Sequence, residues 1–387
     1  MNRFEVALWS LAQIFRRVGR LDLTFADGSS RTCGSGSPAA DLVLRHAAAS
    51  RRLLTGGTLG LAEAYLDQAV DTGDLRALLD WGAANQERWG ASGRLALSPF
   101  RTLWQHGTRT TKHHQIETMV DHYNLGNDFY AAWLDETMTY SAARFPRPDT
   151  ELLTAQLHKY ERIADHAGIR PGTRVLEIGC GWGGFAHYAA SERGAHVTGV
   201  TIAAEQADYA RKRLSDAGMA GMADVRLGDF RSAAGTFDAV VSIEMIESVD
   251  EKTWPALFGA FHDRLRPGGR AVMQAIVIRD DLFDGYRRRR DFIQRYIFPG
   301  GQCPSPAVIM KLAAGAGLDV VGREQFGLDY ARTLRAWADR FESAWPELQG
   351  DHLDERFRRM WLFYLAYCEA GFRHGTIDVG QWVFARR

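Results

Sequence analysis

The chain has 387 residues, 46% of them apolar, and its 47 basic and 47 acidic side chains cancel to a formal net charge of zero. That length allows two domains with sizeable cores, and the neutral balance counts against a nucleic-acid binder, which shows a basic surplus. The 4 cysteines (Cys33, Cys180, Cys303 and Cys368) form no C-x-x-C pair and no zinc-like cluster, so free thiols in a reducing compartment and no metal site are expected.

The opening residues, Met1 to Ser10, carry a charge and polar groups where a signal peptide needs an apolar stretch. No apolar run reaches membrane-crossing length, so a cytoplasmic protein is expected. Over residues 3–18, Phe4, Leu8, Leu11, Phe15 and Val18 recur at helical spacing, with Arg16, Arg17 and Arg20 beside them. The pattern favours a helix packed on its own domain over one lying on a membrane surface. Residues 21–44 alternate like short strands, Leu21 to Phe25 and Asp41 to Leu44, around an Asp27-Gly28 turn. Helices follow at 47–55, 59–67 and 74–88. A small α+β domain thus fills about the first 90 residues, and the polar stretch 91–115, with Lys112, His113 and His114, reads as a connection. The expected division is 1–114 and 115–387.

From about residue 150 helices and strands alternate. Strands are expected at 174–178, 196–200, 224–227, 237–243 and 270–278, the last preceded by an Arg266-Pro-Gly-Gly269 turn. Helices include 205–214 and 254–265. Such alternation implies an α/β fold: a Rossmann-like, mostly parallel sheet with helices on both faces, and ligands at the carboxyl ends of the strands.

The stretch Val175-Leu-Glu-Ile-Gly-Cys-Gly-Trp-Gly-Gly184 is the most informative. A buried strand ends at Glu177, and Gly179, Gly181 and Gly183 let the backbone turn tightly and a ligand approach it. The turn lacks the Gly-Lys-Ser/Thr of a phosphate loop, and its G-x-G-x-G spacing differs from a dinucleotide fingerprint. It resembles motif I of class I methyltransferases, which bind S-adenosylmethionine (SAM). Thr201, ending the second strand, and Gln206, opening the next helix, can bond a neutral ligand or cap the helix. After the third strand, Asp229 can accept from an adenine amino group and Phe230 can cover the ring.

Further motifs stand in order: HYNLGNDFY at 122–130, GVTIAAEQ at 199–206, SIEMIESV at 242–249, YIFPGG at 296–301 and FGLDYARTLRAW at 326–337. With the glycine stretch they resemble the cyclopropane-fatty-acyl-phospholipid synthase family, which includes the mycolic-acid cyclopropane synthases, from about residue 115 onward. The resemblance implies SAM contacts from Tyr140, Ser141, Gly179, Gly181, Thr201 and Gln206, joined by Glu177, Trp182 and Gly183 of the same turn. It implies a cis double bond in a membrane phospholipid acyl chain as acceptor, peripheral contact with the inner membrane face, and bound bicarbonate as the base. The catalytic centre then falls on Glu247, Tyr330 and the backbone of Ile276.

Two positions depart from the family pattern. Ala142 stands where a cysteine is usual, and Gln274 where a histidine is usual, so two titratable groups are gone. Glu244 adds a carboxylate beside Glu247; the two can raise one another's pKa and act directly as general base, or Glu244 can be a solvated surface acid. The product can therefore be a ring or a methyl-branched or methylene olefin. The run Arg287 to Arg290, flanked by Tyr286 and Phe292, suits anionic headgroups; the competing reading is a solvated face paired with Asp280, Asp281, Asp284 and Asp291. A small-molecule methyltransferase and a non-catalytic SAM- or lipid-binding protein are the other readings, and the N-terminal domain is left with a membrane or a homodimer role.

Overall fold

The computed structural model describes residues 2–86, 125–350 and 353–386. The expected connection with Lys112, His113 and His114, and the motif residues His122, Tyr123 and Asn124, lie outside them.

The chain divides into two compact units that are not consecutive in sequence. The first takes the described residues up to 86, and also 290–297 and 345–374. It holds strands β1 (Arg20–Thr24), β2 (Ser30–Gly34), β3 (Ala39–Leu44) and β4 (Val70–Asp71) in the order β2-β1-β3-β4. β2 escapes a sequence reading because Cys33 is its only buried residue. The helix Arg3–Phe15 starts on a capping box formed by Asn2 and Glu5. It buries Leu8 and Ala12 and leaves Val6 and Ile14 exposed. The two helices expected at 47–55 and 59–67 are one element, Ala47–Leu66, broken at Gly57, whose φ of 54° and ψ of −135° are non-helical.

A division at 114/115 would give every residue from 115 onward to the second domain. The helix Glu355–Arg373 instead packs in the first unit, against the helices Leu75–Ala84 and Ala47–Leu66. It buries Trp361, Phe363, Tyr364 and Leu365 there. Arg359 donates to the Tyr65 carbonyl at 2.7 Å and lies 3.7 Å from the centre of its ring. Apolar contact over a whole helix face outweighs sequence distance.

The second unit is built on seven strands: β5 (Arg174–Ile178), β6 (His196–Thr201), β7 (Ala223–Leu227), β8 (Phe237–Ile243), β9 (Leu265–Ile278), β10 (Leu318–Gln325) and β11 (Ile377–Arg386). Their order is β10-β11-β9-β8-β5-β6-β7. β9, β8, β5, β6 and β7 run parallel, and β11 enters antiparallel between β9 and β10. The expected turn at 266–269 lies inside β9 as an irregularity: Leu265 already pairs with Phe237, and pairing resumes at Arg270 with Ala239. Two apolar clusters cover the sheet, one around Trp254, Phe258 and Phe261, the other around Ile163, Phe185 and Ala189. Layers on both faces keep β5 and β8 mostly apolar, with Val175, Leu176 and Ile178 in one and Ala239, Val240 and Val241 in the other, and direct chemistry to the strand ends.

Candidate active site

β5 ends in the glycine turn. Gly179 and Cys180 both donate to the Val200 carbonyl, at 2.9 and 3.1 Å, which ties the turn to β6. Gly179, Gly181 and Gly183 all have positive φ, 79°, 52° and 77°, the region that penalises a side chain. Their surroundings differ. A Cβ on Gly183 would meet Ala210, and one on Gly179 would meet Met245 Cγ at 2.8 Å, whereas one on Gly181 would meet nothing within 4 Å. Gly181 thus offers bare backbone to open space, and Gly179 is packed against Met245, the residue that follows Glu244.

Thr201 and Gln206 are buried at the end of β6, with Thr201 Oγ1 donating to Gln206 Oε1 at 3.0 Å and accepting from Ala203 N at 3.3 Å. Both the helix-start and the ligand-facing readings survive this geometry. Asp229 accepts from the Arg231 backbone and guanidinium at 2.6–2.8 Å, a pairing that holds its carboxyl below the usual range. Phe230 lies in the core cluster under the sheet. Trp182 donates to Asn127 Oδ1 at 2.7 Å, which joins the glycine turn to the motif at 122–130.

Glu177 is buried, and its carboxyl is pushed up to about 8 by burial, opposed by the Lys159 charge. Sequence reasoning does not single out Lys159. It lies fully buried on the helix Leu152–Ala167 and donates to Ser141 Oγ at 2.8 Å. Burial pulls its ammonium down to about 8, while Glu244, Asp135 and Glu177 oppose the shift. Gln156, one turn earlier, donates to the Ser141 carbonyl at 2.9 Å. The available signal is position: Gln156 and Lys159 fall in register with Leu152, Ala155, Tyr160 and Ile163, on the face that should be apolar.

The next residues carry the carboxylates. Glu244 Oε1 accepts from Ala142 N and from Gln274 Nε2, both at 2.8 Å, and Oε2 accepts from the Tyr330 hydroxyl at 2.8 Å. Burial still raises its carboxyl despite these donors. Glu244 is therefore a half-buried group committed to three donors and not the solvated acid of the competing reading. Its backbone is left-handed at φ 49°. Glu247 Oε1 accepts from Ile276 N, while Oε2 is buried with no hydrogen-bond partner. Burial and the neighbouring Glu244 charge push Glu247 up to about 8. Gln274 is buried and held by Gln381, which donates to its Oε1 at 3.1 Å. Glu244, Glu247, Gln274, Ile276 and Tyr330, all expected catalytic positions, thus converge on one cluster.

Rings flank it. Tyr140 lies 5.3 Å from Trp337, 5.5 Å from Trp133 and 5.6 Å from Tyr130, centroid to centroid. Trp337 in turn lies 6.0 Å from Tyr330. In the expected headgroup-facing segment, Arg287 to Arg290 are exposed, but Phe292 is buried against Phe363, with ring centroids 4.7 Å apart. Arg287 pairs with Glu251, not with any of the four aspartates named from the sequence; Asp281 pairs with Arg279.

Gly181 leaves bare backbone facing open space, and the buried hydroxyl of Ser242, next to last in β8 and paired with Ile178 of β5, has no hydrogen-bond partner. Sheet, turn and strand-end groups together define a class I SAM-dependent methyltransferase. Residues 110–382 match the family model described as mycolic acid cyclopropane synthetase. The chain is 39% identical to the tuberculostearic acid methyltransferase UfaA1 of Mycobacterium tuberculosis, covering 95% of this chain and 88% of that one. It is 35% identical to the cyclopropane-fatty-acyl-phospholipid synthase of Escherichia coli, covering 91% and 89%. The solved cyclopropane synthase MmaA2 from Mycobacterium tuberculosis superposes with a TM-score of 0.65 at 30% identity, over 70% of this chain and 98% of that one. The chain belongs to the mycolic acid cyclopropane synthetase family.

Proposed function

We propose that this enzyme transfers a methyl carbon from SAM to a cis double bond in the acyl chain of a membrane phospholipid. The contact of Met245 with Gly179 carries the reading, because it sets the Glu244–Glu247 segment directly against the glycine turn. Bound SAM supplies a sulfonium methyl, an electrophile strong enough for the weak nucleophile that an alkene is. The chain's own groups handle the positive charge left on the acyl chain and the proton that has to go. The rings of Tyr140, Trp133 and Trp337 favour that charge and exclude water that would capture it. Glu247, with one unpartnered buried oxygen, takes the departing proton.

Because the acceptor is lipid, we take the enzyme to work at the inner membrane face, with the exposed Arg287 to Arg290 run against anionic headgroups. Among the described residues no helix is long and apolar enough to cross a membrane. A second reading, an open methyl-branched or methylene olefin product in place of a ring, is favoured by the 39% identity to a relative named for tuberculostearic acid.

Expression in cells with monounsaturated phospholipids, followed by gas chromatography of the acyl chains, tests both. A gain of one CH2 per modified chain is expected, and hydrogenation separates ring from olefin. Unchanged acyl masses alongside methylation of a water-soluble acceptor would overturn the proposal.

A further inference from the structure

We propose that Glu244 is the resident anion of this catalytic centre, so that proton removal proceeds without bound bicarbonate. The inference rests on the functional reading above and on a count of donor hydrogens. Ala142 N has one hydrogen, the Tyr330 hydroxyl one, and the Gln274 amide two. Ala142 and Tyr330 both give theirs to Glu244. Gln274 gives one to Glu244 and one to the Ala142 carbonyl. The Ile276 amide is taken by Glu247. No hydrogen in this set remains for a separate anion, and a further negative charge beside two carboxylates would be repelled.

The backbone agrees. Glu244 is held at φ 49°, a region that disfavours a side chain, and this conformation directs its carboxylate at the three donor groups. Glu244 is thus a positioning residue: its charge sits beside Glu247 and makes Glu247 the stronger base. The leaving proton passes to Glu247 Oε2. Its C–H electron pair becomes the last ring bond or the π bond of the olefin, and Glu247 then releases the proton to water.

Two measurements on the full chain test this. The first is methyl transfer to dioleoylphosphatidylglycerol vesicles in CO2-depleted buffer, with and without added bicarbonate. The second is calorimetric titration of bicarbonate into the protein saturated with S-adenosylhomocysteine. The natural protein should turn over equally in both buffers and take up no bicarbonate. Glu244→Gly, at ease at positive φ, should lose about 100-fold in turnover, bind one bicarbonate and regain activity with it. Glu244→Gln keeps the shape without the charge; it should lose turnover without rescue, and its rate should rise at lower pH than the natural protein's. Bicarbonate uptake by the natural protein, its loss of turnover on depletion, or full activity of Glu244→Gly without bicarbonate would each overturn the inference. If no acyl lipid is methylated under any condition the functional reading fails, yet the titration still decides: heat with the natural protein refutes Glu244's role, and heat with Glu244→Gly alone supports it.

Discussion

At the scale of single residues the centre is a charge problem. Glu244 collects donor groups on both oxygens, whereas Glu247 has one donor and one bare oxygen. The pair therefore divides into a solvated-like anion and a poorly solvated base. Glu247→Gln should keep SAM affinity and lower turnover by about 100-fold or more, as loss of a general base does; equal turnover in a single-turnover assay would remove Glu247 from the chemistry. Since Glu247 is pushed up to about 8 and acts ionised, the rate should climb as pH rises towards 8. These residues were readable in the sequence because they sit inside ordered motifs. That Glu244 fills the donor set was not readable, because the donors come from chain positions as distant as Ala142, Gln274 and Tyr330 and meet only in the fold.

At the scale of elements, the glycine turn and the helix Leu152–Ala167 set the site. Gly181→Val would force a branched side chain into φ 52°, at about 1–2 kcal/mol, and fill the open space beside the backbone. SAM binding by calorimetry should vanish while the fold, read by circular dichroism, persists. Lys159→Met tests the helix. It leaves the Glu244 carboxylate without its buried cation, so stability should drop by about 3 kcal/mol, seen as a lower urea midpoint. An unchanged midpoint would show that the ammonium is electrostatically idle. The parallel strands were legible as apolar runs between glycine turns. β10 was not, since only Leu318 is buried and the residues after it alternate between exposed and half-buried through Asp319, Arg323 and Glu324, the mark of an edge strand.

At the scale of the whole molecule, burial of acids sets the response to pH. Glu177 and Glu247 hold protons in the folded state up to about 8, but ionise near their ordinary 4.5 once unfolded. Between those values the folded state binds more protons, so stability should fall as pH rises from about 4.5 to about 8. Lys159 acts in the opposite sense, but only above its folded value of about 8. Melting temperatures across this range should therefore decline, and Glu177→Gln should flatten the decline; an equal slope in that variant would mean that Glu177 is ionised in the fold. The two-unit division was partly legible, from the change in pattern around residue 90. The return of the helix Glu355–Arg373 was not, because an amphipathic stripe says that a partner exists without saying which.

That return has a consequence for biogenesis. Residues 2–86 of that unit emerge from the ribosome well before the aromatic face at 355–373 that completes it. Its apolar surface must wait, shielded or loosely collapsed, until residues 355–373 have been made. The segment made earlier is therefore completed only after most of the sheet unit has been translated, and a nascent chain stalled before residue 355 should be the form most dependent on chaperones.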